Sequence, residues 1–152
     1  MVWEMLELKL NELPPLFPER LGLDIETTSL NRFTCKLRTI AISDGIETWI
    51  LTDHFERIVP LLEDPTITKI IHNADYDLPV LVRYLNCDPQ NIYDTLLVER
   101  ILNSGLMIDN SLEQVLARRL GIIIDKSLST SFNDGLFAQS ISEEQLQYIK
   151  ND

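Results

Sequence analysis

"LGLDIETTSLN", residues 21–31, alternates apolar Leu21, Leu23 and Ile25 with Gly22, Asp24 and Glu26. Period-two alternation marks a strand with one buried face. Side chains two residues apart on a strand share a face, so Asp24 and Glu26 stand side by side. Two like charges about 4 Å apart repel by about 4 kcal/mol at an effective dielectric near 20. A chain that fixes such a pair on a strand calls for a reason.

Outward from this strand, "LRTIAISDGIETWILT" reads as two more, 37–43 and 46–52, joined by the hairpin pair Asp44-Gly45. "DHFERIVPLLED" has helical spacing interrupted by Pro60. "ITKIIH" reads as a fourth strand buried on both faces. "ADYDLPVLVRYL" places Leu78, Leu81, Val82 and Leu85 on one helical stripe, with Pro79 suited to the first turn. A short strand near Ile92 precedes the helix of "DTLLVERILNS", for which Asp94 is the expected cap. "NSLEQVLARRLG" is a further helix, capped by Asn110 or Ser111 and stopped by Gly121. "SEEQLQYIKND" begins a last one at Ser142. Strands come first and then alternate with helices, which predicts an α/β domain over residues 1–152 with a mixed sheet covered by helices.

Apolar residues make up 45% of the 152 and charged residues 24%, as in ordinary globular chains. No apolar run nears the ~18 residues that span a bilayer. The acidic start "MVWEMLELKL" lacks a signal peptide's basic segment. A soluble cytoplasmic protein without a membrane partner is expected. Cys35 and Cys87 form no CxxC pair and read as reduced structural thiols. A net charge of −11 argues against tight nonspecific phosphate binding. It leaves room for an enzyme that meets nucleic acid through bound metal.

Three segments combine: Asp24-x-Glu26 at a strand end, "IHNADYD" at a strand-to-helix junction, and "YIKND" with Tyr148 and Asp152 one helical turn apart. In this order and spacing they resemble the three motifs of the DEDDy 3'→5' exonucleases, which include RNase D and the proofreading domain of DNA polymerase I. "YDTLLVERIL", "SLEQVLARRLG" and "DKSLSTSF" fit as landmarks. The resemblance implies a ribonuclease H-like fold with a five-stranded mixed sheet and hydrolysis of phosphodiesters at nucleic-acid 3' ends. It also implies two divalent cations, Mg²⁺ or Mn²⁺. Asp24, Glu26 and Asp152 would ligate one ion. Asp24 would bridge to the second, with Asp77 holding that one. Tyr148 would orient the attacking water. Leu30 would pack against the terminal base and Thr27 would lie beside the 3'-hydroxyl. His72 and Asn73 would sit near the substrate backbone. Carboxylate oxygens are hard ligands suited to these ions, which would explain the paired charges.

Taken singly, each feature has a plainer reading: a solvated strand face, a helix-start carboxylate, a surface i,i+4 pair. Only the joint register lifts them above it. Arg118 and Arg119 read as a solvated helix face. Arg32, Lys36 and Arg38 suggest a small phosphate-binding rim. Asp152 is the last residue, where the family's third-motif helix continues. The chain therefore reads as a fragment, half of a split protein or a short homologue. The alternative function is a catalytically weak or inactive nucleic-acid-binding module, or one part of an assembly completed by a C-terminal partner or missing segment.

Overall fold

The computed structural model describes residues 7–124 and Glu144. The alternating stretch becomes strand β2, Arg20–Thr27, with Leu21, Leu23, Ile25 and Thr27 buried and Asp24 and Glu26 half-buried. β3, Leu37–Ser43, and β4, Glu47–Leu51, follow it antiparallel. Their loop has three residues, 44–46. Asp44 Oδ1 accepts from the Ile46 and Glu47 amides at 2.8 Å each, and Gly45 takes φ +89°. β5, Thr68–Ile71, lies parallel to β2, and β6, Ile92–Asp94, parallel to β5.

The sheet has six strands, not the five that the family resemblance implies, in the order β1-β4-β3-β2-β5-β6. The extra strand, β1 at Glu7–Leu10, pairs parallel with β4 at the edge. Four residues give too short an alternation to read. What fixes them is distant: Lys9 pairs with Glu47 at 2.8 Å, and Asn11 Oδ1 accepts from the Thr52 amide at 2.8 Å.

Cross-strand partners share a face, so Leu23, Ile42 and Trp49 line one side with Ile25, Ile40 and Leu51. These join the core beneath a 3-10 turn at Phe55–Ile58, helix α1 at Val59–Glu63 and helix α2 at Ala74–Leu85. Pro60 sits in the first turn of α1 and ends the 3-10 turn rather than breaking a longer helix. Asp24 pairs with Ala41, and Ala41 with Ile50, on the opposite side. The carboxylates thus stand on the sheet face turned away from the main core.

On β5, Lys69 and Ile71 are fully buried, while Thr68 and Ile70 are half-buried. Lys69 is tolerated because its Nζ donates to the Asp64 and Ile67 carbonyls at 2.7 and 2.9 Å. Helix α3 spans Thr95–Leu102 and α4 Leu112–Leu120, which ends on Gly121 at φ +68°. The buried Glu99 carboxylate binds Arg118 Nη2 at 3.1 Å and Arg119 Nε at 3.0 Å. Those arginines lie on an exposed face, as expected, and also clamp α4 to α3 through Glu99. Cys35 and Cys87 are free thiols, both buried. Among the described residues no helix is long and apolar enough to cross a membrane.

Candidate functional site

The site begins where β2 ends. The β2–β3 register shifts between Glu26 and Thr27, and the chain then turns through residues 28–36. Asp77 arrives from the first turn of α2, 5% exposed. Burial first, and the charge of Asp24 second, push its carboxyl well above the usual carboxylate range. Its own backbone amide and that of Ile25 work the other way. Asp77 thus reaches β2 at the residue between Asp24 and Glu26 in sequence, and Asp24 and Asp77 are electrostatic neighbours. Neither Asp24 nor Glu26 is free of partners.

Three devices hold α2 against the turn. The Tyr76 hydroxyl lies 2.6 Å from Thr27 Oγ1 and 2.8 Å from the Ser29 carbonyl, which Thr27 also approaches at 2.9 Å. Burial raises the Tyr76 phenol pKa above its ordinary value, against the Thr27 hydrogen bond. Arg83 donates to the carbonyls of Arg32 and Cys35 at 3.1 and 2.7 Å. The third follows from Pro79, which lies at the sixth residue of α2, not in its first turn. A proline there leaves the carbonyl four residues earlier without its helical donor. That carbonyl is Asp75, and Arg32 Nη1 donates to it at 2.9 Å and to its carboxylate at 3.3 Å. Arg32 is therefore committed to α2 and is not part of an open phosphate rim; Arg38 is not free either. The clamped turn carries Leu30 at its surface, 81% exposed. Thr27 is buried, with its hydroxyl engaged as described.

Asn73 precedes α2 with φ +72°, a left-handed conformation that asparagine tolerates. Its side chain makes no cap bond. Asp94 caps α2 instead, accepting from the Asn73 amide at 3.2 Å and the Ala74 amide at 3.0 Å. The same carboxylate caps α3 through the Leu96 and Leu97 amides at 2.9 and 3.2 Å. His72 Nδ1 lies 2.9 Å from Thr95 Oγ1, which in turn donates to the Ile71 carbonyl at 3.3 Å. If Thr95 gives its proton to that carbonyl, Nδ1 carries the imidazole proton.

These elements wall a cleft of about 600 Å³ lined by Asp24, His72, Asn73, Leu96, Arg100 and Asp109 among others. Four of the sequence-selected residues, Asp24, Asn73, His72 and Asp77, thus gather around the β2 and α2 junction. Tyr148 and Asp152 lie outside the described residues. Among the described residues no group of three or more His, Cys, Asp or Glu side chains forms a ready metal cage. The donors that are described still fit divalent cations in kind: a carboxyl raised by burial and by a second carboxylate near it would be relieved by a bound cation. Sequence reasoning gave Asp94 only its α3 cap and missed Tyr76, Arg83 and Arg100. Tyr76 carried a faint signal, lying inside the "IHNADYD" segment.

Residues 4–152 match the family model described as 3'-5' exonuclease. Ribonuclease D of Haemophilus influenzae is 29% identical over 136 residues, covering 86% of this chain and 33% of that protein. The chain thus spans about a third of the length of that curated relative. The structure of Brucella melitensis NrnC bound to pGG is similar with a TM-score of 0.82 at 26% identity, covering 97% of this chain and 75% of that one. The same protein with bound Mg²⁺ gives a TM-score of 0.79 at 25% identity, covering 98% and 75%. The fold is the ribonuclease H-like arrangement of these neighbours, a mixed sheet flanked by helices.

Proposed function

The chain belongs to the 3'-5' exonuclease family, and on that premise we propose that it hydrolyses the terminal phosphodiester at the 3' end of a nucleic-acid strand. The observation that carries this reading is the approach of Asp77 to Asp24 and the Ile25 amide on β2. Two segments that look unrelated in sequence thereby come together beside a cleft that Asp24 lines, which supports the reading.

In this reading Asp24, Glu26, Asp77 and Asp152 hold two divalent cations, Mg²⁺ or Mn²⁺. When bound, such ions supply an activated water and stabilise the entering and leaving oxygens of an in-line displacement. The chain's own residues do the rest. Tyr148, a phenol and so neutral near pH 7, orients the water by hydrogen bonding rather than as a strong base. Leu30, exposed on its clamped turn, packs against the terminal base. Thr27 holds that turn beside the 3'-hydroxyl. His72 and Asn73 line the cleft along the substrate backbone.

The test is degradation of a labelled oligonucleotide, DNA and RNA in parallel, with Mg²⁺ or Mn²⁺. Stepwise shortening from the 3' end, abolished by Asp24→Asn, supports the reading. Binding without hydrolysis under both ions would replace it with an inactive exonuclease-like module.

A further inference from the structure

We propose that Arg100 is a substrate contact, its guanidinium binding a backbone phosphate upstream of the scissile linkage. The inference rests on the exonuclease reading and adds a residue outside all three motifs. It starts from charge. The chain carries 24 acidic and 13 basic side chains, so a polyanion approaches against net repulsion. Most arginines near the site are already committed. Arg32 and Arg83 bind backbone carbonyls, and Arg118 and Arg119 bind Glu99.

Arg100 differs from them. It lines the same cleft as Asp24, and it is the only lysine or arginine that does so among the described residues. Its guanidinium forms no ion pair or hydrogen bond among those residues. Its sequence neighbour Glu99 faces α4 instead. Asp109, the other acidic group across the cleft, accepts from the Ser111 amide and hydroxyl. Leu96 also lines the cleft, one turn before Arg100 on α3, so this helix presents an apolar and a cationic group on one side. A volume of about 600 Å³ accommodates nucleotide-sized ligands. Guanidinium groups match phosphate oxygens in a two-pronged geometry, with a charge that does not titrate near neutrality.

The experiment measures Kd for a fluorescein-labelled single strand in Ca²⁺, and kcat and KM in Mg²⁺, for the full chain and for Arg100→Ala and Arg100→Lys. Arg100→Ala is expected to raise Kd and KM about 10-fold, with kcat within about 2-fold. The slope of log Kd against log salt should become shallower by about 0.7, one phosphate contact on a single strand. Arg100→Lys should keep the slope and part of the affinity. A series of strands, each with one neutral methylphosphonate linkage, locates the phosphate. One position should weaken wild type about 10-fold and leave Arg100→Ala unaffected. An unchanged Kd and salt slope in Arg100→Ala overturns the inference, as does a methylphosphonate profile identical in both proteins. Absence of hydrolysis by wild type defeats the exonuclease reading instead, since the Kd measurements do not depend on turnover.

Discussion

Asp94 joins two helices through one carboxylate, and its removal has a calculable cost. Oδ1 accepts from the Leu96, Leu97 and Asn73 amides, and Oδ2 from Ala74. In Asp94→Ala, loss of the α3 cap costs about 1 kcal/mol. The Ala74 amide, part-buried, loses its acceptor for a further 1–2 kcal/mol, roughly. The more exposed Asn73 amide can turn to water and adds little. A total of about 2–3 kcal/mol corresponds to a melting temperature lower by roughly 5–10 °C in a chain of this size. Asp94→Ser separates the two jobs. Serine caps α3 but is too short to hold the start of α2, so it should recover about 1 kcal/mol and no more. Because the second-motif helix begins at Ala74, kcat should fall about 10-fold in both variants. Thermal melts and single-turnover hydrolysis measure the two effects. Wild-type stability and rate in Asp94→Ser would show that the bonds to α2 contribute nothing and that the helix start is set otherwise.

Asp77→Asn tests the buried carboxyl. Its folded pKa is raised, so the stability it contributes is complete below the unfolded value and lost as pH rises through the folded one. Without metal, the variant should melt higher than wild type at neutral pH, with the gap closing as pH falls toward about 4; its hydrolysis should drop at least about 100-fold. An equal gap at every pH would mean that the carboxyl is not the cause. Tyr76→Phe removes the hydroxyl shared with Thr27 and Ser29 and should cost about 1–2 kcal/mol in urea unfolding while raising KM through the loosened Leu30 turn. A stable variant with unchanged KM would show that the clamp is redundant. Mn²⁺ at 100 times its dissociation constant should stabilise wild type by about 2.7 kcal/mol and Asp24→Ala far less. No shift in wild-type melting would count against a working metal site.

What the sequence made legible was what local pattern determines. β2 could be read because one face is buried and one is not, and α2 runs over the same twelve residues that its apolar stripe marks, Ala74–Leu85. The Asp44-Gly45 pair and Gly121 likewise acted through their own backbone preferences. Pairing of Asp24 with Glu26 on one face needed only strand parity. The neighbourhood of Asp77 and Asp24 was legible only through family resemblance, because nothing local brings α2 to β2.

The remaining differences have one physical root: a side chain's availability depends on partners far along the chain. Local rules place Pro79 in a first turn, where its missing N–H costs nothing. The fold accepts it in the second turn because Arg32, 43 residues before Asp75, supplies the missing donor. That arginine then drops out of any phosphate rim. Arg118 and Arg119 stay exposed but are tied to Glu99, which is buried on α3. Lys69 occupies a core position because two loop carbonyls surround its ammonium. Net charge counts all these cations equally, whereas a nucleic acid meets only those that the fold leaves over. In a chain at −11 the difference matters: among the described residues Arg100 is the one cationic side chain lining the cleft, and on the exonuclease reading it and the proposed metal ions would supply the attraction for phosphate.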